Sequence, residues 1–136
     1  MTMTDEFSEG LTPEQKYDLW IEALESGKFK QGAKCLANTN GGFCCIGVLA
    51  KINGYKPKGA GLSTYPDYCN MIGRNHYFCP GETYEVFAHL GMGHLISEDS
   101  AANLAIANDH GKTFSDIASA LKLHKERGFR GVVRVF

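Results

Sequence analysis

The chain lacks any apolar run near the roughly 18 residues that a membrane-spanning helix needs. It also lacks charge imbalance: 14 Lys and Arg face 15 Asp and Glu, a net charge of −1. Nothing overall therefore pulls it towards nucleic acid or an anionic membrane, so a membrane partner is excluded and nucleic acid disfavoured. There is no Cys-x-x-Cys pair of the structural zinc type, no Gly-rich phosphate loop, and no run of carboxylates closing a calcium loop. No cofactor is implied. Repeats, low-complexity tracts and linkers are missing as well. The opening, "MTMTDEFSEG", is polar and acidic without the apolar stretch of a secretory signal, so a reducing cytoplasm is expected, with the five cysteines as free thiols.

What is present fits one α+β domain, helix-rich, with a short sheet or hairpin and a long irregular central loop. Its 136 residues, 43% hydrophobic and 21% charged, can bury roughly two-thirds of the unfolded surface without disulfide or metal. Residues 1–10 read as a disordered segment and 11–136 as the globular domain. In "LTPEQKYDLWIEALESG", Thr12 is an N-cap, Pro13 suits the first helical position and Gln15 closes a capping box. Tyr17, Trp20, Ile21 and Leu24 follow the spacing of one buried helical face. "FCCIGVLAKI" reads as a buried helix, and the Asn40-Gly41-Gly42 turn before it suggests a hairpin whose second strand ends at Phe43. Residues 55–81 hold three of the four prolines and four of the six tyrosines, and read as the loop. "ETYEVFAHLGM", "EDSAANLAIAN" after Ser97, and "FSDIASALKLHKE" after Thr113 are further helices, the last with Asp116 in capping-box position. "GVVRVF" alternates like a final strand, and a homodimer is one way to cover its edge.

The adjacent Cys44 and Cys45 admit two readings. At a helix N-terminus a thiol is drawn towards the thiolate, and a hydrolase could use Cys44 with His110, or His94, oriented by Asn108 or Asp109. Cysteine in an apolar run is more often a small core residue, and the neighbouring glycines would let this element pack closely under Trp20, Leu24 and Ile117. A weak metal set is Cys69, His76 and Cys79. "NDHGKTF" forms a helix–turn–helix joint, but a DNA-reading second helix would not carry Asp116 early and its basic residues late. Lys28, Lys30, Gln31 and Lys34 with Arg74 and the tyrosines suit an anionic, nucleotide-like ligand.

"WIEALESGKFKQG", "FCCIGVLAKINGY" and "LAIANDHGKTFSDIASAL" together resemble a widespread family of small uncharacterised phage and prophage proteins. The shared pattern falls on Trp20, Gln31, Gly32, Phe43, Cys44, Gly47, Asn108, Asp109, Gly111, Phe114 and Ile117. Ala107 departs from it, where leucine is usual, and residues 55–81 fall outside it. The resemblance implies a phage accessory protein in the cytoplasm of an infected bacterial host. Its expected partner is a small nucleotide-like immune signal or a host bacterial protein. The candidate ligand-binding set is then Trp20, Lys30, Gln31, Phe43, Arg74, Asn108, Asp109 and Lys112.

Overall fold

The computed structural model describes residues 10–32, 36, 41–57, 71–73, 76–78 and 83–135, with backbone alone for 56–57, 71–73 and 76–78. Apart from Gly10, the N-terminal segment expected to be disordered lies outside them. Helix α1 (Pro13–Glu25) starts as its sequence requires. Thr12 Oγ1 accepts from Gln15 N–H at 3.1 Å, and Gln15 Oε1 accepts from Thr12 N–H at 2.9 Å. Gly27 at φ +75° follows its end.

Strands β1 (Lys30–Gln31) and β2 (Gly42–Phe43) pair, with Gln31 opposite Phe43. The second strand does end at Phe43, but the pair is parallel and not a hairpin. The chain therefore travels back between the two strands before pairing, which a local turn signal cannot encode. Helix α2 (Cys45–Ile52) follows at once and is buried at every position from Cys45 to Ala50. A helix apolar all round has to lie inside, and α2 packs against α1, α3 (Thr83–His89) and α4 (Glu98–Asp109). Helix α5 (Phe114–Glu126) closes the bundle against α1 and α4.

The central region expected to be irregular carries three short strands, β3 (Lys56–Pro57), β4 (Met71–Gly73) and β5 (His76–Phe78), in an antiparallel sheet of that order. Among the described residues, no helix is long and apolar enough to cross a membrane.

Two features of the C-terminal end were not legible. Residues 131–135 form no helix or strand and pair with no strand among the described residues. Val133 N–H donates to Ser100 Oγ at 2.9 Å, and Val133 O accepts from Asn103 Nδ2 at 3.0 Å. Side chains of α4 thus take the place of a partner strand, and the edge that suggested a homodimer is not formed. The second feature is His124, 4% exposed. Its Nε2 lies 3.3 Å from Gly131 O, which can only accept, so Nε2 carries the proton. Its Nδ1 lies 3.2 Å from Tyr17 Oη, whose hydroxyl also reaches Leu121 O at 2.9 Å. Phe129 holds φ 62°, rare for a residue with a Cβ, and its ring packs edge-on against Tyr17 at 4.9 Å and His124 at 5.7 Å. That aromatic contact offsets the strain of the turn that sends the tail back over α4.

Burial, helped by the Arg127 charge, holds the His124 pKa below its ordinary 6.5, against the opposing pull of the Gly131 carbonyl. The native state therefore takes up a proton less readily than the unfolded chain. The stability due to a neutral His124 is complete above about pH 6.5 and is lost as pH falls from there towards the lowered native value. Urea midpoints at pH 8 and pH 5.5 are expected to differ more for the wild type than for His124→Gln. Equal differences would show that His124 does not carry this dependence.

Candidate functional site

The residues shared by the three sequence motifs meet in one place. Gln31 reaches from β1 to the turn after α4: its Nε2 donates to Asn108 Oδ1 at 3.0 Å and to Lys112 O at 2.7 Å. Its Oε1 accepts from Phe114 N–H at 3.2 Å, at the start of α5. Asn108 Oδ1 also accepts from Cys45 N–H at 3.1 Å, in the first turn of α2, while its Nδ2 donates to Gly32 O at 2.7 Å. Two amide side chains thus tie together β1, α2, α4 and α5. Backbone N–H groups at helix starts have no partner within their own helix, and here side chains 63 and 83 residues away supply two of them. With these bonds made, Gln31 and Asn108 serve the fold, although each had been placed in the ligand-binding set.

The two cysteines belong to the same knot. Cys44 is the N-cap of α2, its Sγ accepting from Gly47 N–H at 3.3 Å. That bond favours the thiolate, but burial outweighs it, and the pKa is pushed up to about 11. Cys45 is completely buried, its thiol facing Leu104 O at 3.6 Å, and burial raises its pKa well above the usual value. An activated nucleophile needs the opposite shift. Asp109 also acts against the thiolate at Cys44. His94 and His110 are exposed, and among the described residues neither bonds to a cysteine. Cys44 therefore acts as a helix cap.

Other members of the expected set fall elsewhere. Trp20 is fully buried, its indole N–H donating to Cys45 O at 2.8 Å, and stacks edge-on against Tyr17 and Phe87. It is a core residue, not a ligand platform. Phe43 is buried against Phe29. Lys30 and Asp109 are exposed. Arg74, Cys69 and Cys79 lie outside the described residues, and His76 is described only as backbone of β5.

Two surface depressions are lined by described residues. One lies between α1 and α5 and holds Asp18, Glu22, Glu25 and Glu126 with Lys122 and Lys125. Both lysines are already paired, Lys122 with Glu25 at 2.7 Å and Lys125 with Asp18. Its surplus charge is negative and its contents are internally satisfied.

The other is a cleft of about 330 Å³ where the C-terminal tail runs beside the end of α4, lined by Asn103, Ile106, Ala107, His110, Lys112, Arg134 and Val135. Among the described residues, no carboxylate side chain lines it. Among the described residues, the side chains of His110, Lys112 and Arg134 make no ion pair or hydrogen bond. Ile106 is 56% exposed, an apolar side chain left open beside two permanent cations. Lys112 had been named from sequence. Arg134 had not, because "GVVRVF" read as a strand, and only the tail's docking on α4 brings it to the cleft.

A family model described as Domain of unknown function (DUF8296) matches residues 13–125. No curated protein and no solved structure matches the chain.

Proposed function

We propose that this chain, which belongs to the DUF8296 family, is a non-catalytic binding protein that takes an anionic, nucleotide-like ligand in the cleft between α4 and the C-terminal tail. One observation carries this reading: Lys112 and Arg134 line a cleft to which no described residue brings a carboxylate, and their side chains have no partner among the described residues. A planar guanidinium and an ammonium lining the same cleft suit phosphate oxygens. The open side chain of Ile106 offers an apolar contact for a base or ring, and a pocket of this size sits at the small end of ligand sites. The buried cysteine pair, with thiols held protonated, supports binding over catalysis.

The resemblance to phage and prophage proteins supplies a setting for the same proposal. A small protein made in an infected bacterial cytoplasm could sequester a nucleotide immune signal in such a cleft and so counter host defence. An acidic segment of a host protein is the other ligand that the same charge would accept.

Isothermal titration with AMP, ADP and cyclic dinucleotides, with inorganic phosphate as a charge-only control, tests the proposal. At least one nucleotide is expected to bind at least about tenfold more tightly than phosphate. The doubly substituted Lys112→Gln/Arg134→Gln chain should lose about tenfold or more of that affinity, since each charge-assisted bond is worth about 1.5–3 kcal/mol. The ligand should return with unchanged mass. Absence of nucleotide binding, or equal affinity in the substituted chain, would sink the reading, and a cleaved nucleotide would make the chain an enzyme.

A further inference from the structure

Among the described residues, the Arg134 side chain has no hydrogen-bonded neighbour to hold it at the cleft. Its position follows from the residue before it. Val133 is 2% exposed, and both its backbone polar groups bond to α4, the N–H to Ser100 Oγ and the carbonyl to Asn103 Nδ2. Ser100 and Asn103 stand three residues apart and share one face of the helix, which Ala107 and His110 continue. The tail is thus laid along a single stripe of α4. Gly131, two residues earlier, is fixed by His124.

Ser100 is completely buried and does not line the cleft. Its amide N–H bonds to Ser97 Oγ at 3.1 Å as part of the helix cap, so its own hydroxyl is set at a fixed height on α4. The peptide planes on both sides of the Val133 Cα are thus held, the preceding one by Ser100 and the following one by Asn103, and together they set the direction in which residue 134 leaves.

We infer that Ser100 is a positioning residue for ligand binding: by holding the Val133 N–H while Asn103 holds its carbonyl, it docks the tail so that Arg134 meets the ligand's anionic group in the cleft that Lys112 also lines. This rests on the cleft being the binding site. Ser100 then acts on affinity only through Arg134, and the two residues form one functional unit.

A double-mutant cycle separates this from a plain structural role, with ADP as probe and titration at two salt concentrations. Arg134→Gln is expected to weaken ADP binding about tenfold and to flatten its salt dependence. Ser100→Ala is expected to weaken it severalfold, to flatten the salt dependence in the same way, and to speed amide exchange at Val133. In the Arg134→Gln background, Ser100→Ala should cost less than about twofold, because coupled sites are not additive. Should Ser100→Ala fail to fold, Val133→Pro removes the same N–H from the tail side and leaves α4 intact. Additive losses, or faster Val133 exchange with unchanged affinity, overturn the inference and leave the cleft as the binding site. Failure of the wild-type chain to bind ADP overturns the inference, and failure to bind AMP and the cyclic dinucleotides as well overturns the cleft as the binding site.

Discussion

Replacing Gly47 by alanine is expected to cost about 3 kcal/mol of stability, the upper part of the range for overpacking a core. Helix propensity points the other way, since alanine is the better helix former by about 1 kcal/mol. Position decides. An alanine Cβ at 47 would lie 1.8 Å from Leu36 O and 2.7 Å from its carbonyl carbon. These are backbone atoms, so no flexible side chain can swing aside. The same carbonyl accepts from Cys44 N–H at 3.3 Å, and moving it would break that bond at the N-cap of α2. Leu36 itself is 2% exposed and anchored in the core. Thermal unfolding should read the loss as a fall of roughly 10 °C in Tm. A Tm equal to the wild type would mean that the segment around Leu36 yields freely and that the close approach is not needed.

The second large effect is expected at Asn108. Asn108→Leu leaves Cys45 N–H, Gly32 O and one Gln31 amide hydrogen without the partners they have now. At about 1–3 kcal/mol for each buried polar group left unpaired, a loss of about 3–5 kcal/mol follows, read as a lower urea midpoint. Asn108→Asp is the sharper probe. The carboxylate can still accept from Cys45 N–H and Gln31, but it sets an oxygen against Gly32 O where Nδ2 now donates at 2.7 Å. Only the protonated acid can donate there, so the native pKa of this aspartate should rise above its unfolded value near 3.9. The sign follows: the bond is present below that value and is lost as pH rises through the native pKa. Asn108→Asp should therefore gain on Asn108→Leu on acidification, the reverse of the direction set by His124. A constant gap between the two variants across pH 4–8 would show that the Gly32 bond contributes little.

Much of the fold was legible because its signals are local. The capping boxes at Thr12 and Thr113 fixed two helix starts, and the spacing of Tyr17, Trp20, Ile21 and Leu24 identified a face that is buried throughout. The reading of "FCCIGVL" as a buried helix with small internal thiols rests on composition alone and matches α2. What escaped was set by distant partners. The parallel pairing of Lys30–Gln31 with Gly42–Phe43 depends on where α2 must sit, and the tail is held by Ser100 and Asn103, about 30 residues earlier. His124 was within reach, since it continues the series Phe114, Ile117, Leu121 on α5, but a histidine at such a place does not announce itself as core. At the candidate site, Gln31 and Asn108 stood out as motif residues, but the bonds they make to distant elements could not be read, because those partners lie far along the chain. Cys44 read best as a small core residue, and its capping of α2 was the part not seen. Lys112 was among the residues named from sequence, whereas Arg134 depended on the tail's course and was not.

The burial of α2 from Cys45 to Ala50 also shapes how the chain comes into being. Its apolar surface leaves the ribosome accompanied only by α1, while the helices that cover its other sides are still unmade. About 50 residues separate Ile52 from Leu104 on α4, the last of the helices packed against α2. At ~5–20 residues per second, that gap keeps a greasy segment open for roughly 3–10 s in every round of synthesis. Nascent copies on neighbouring ribosomes are near one another throughout that interval. A holding chaperone, or a short queue of ribosomes on the message, therefore governs how much of the product reaches its native state.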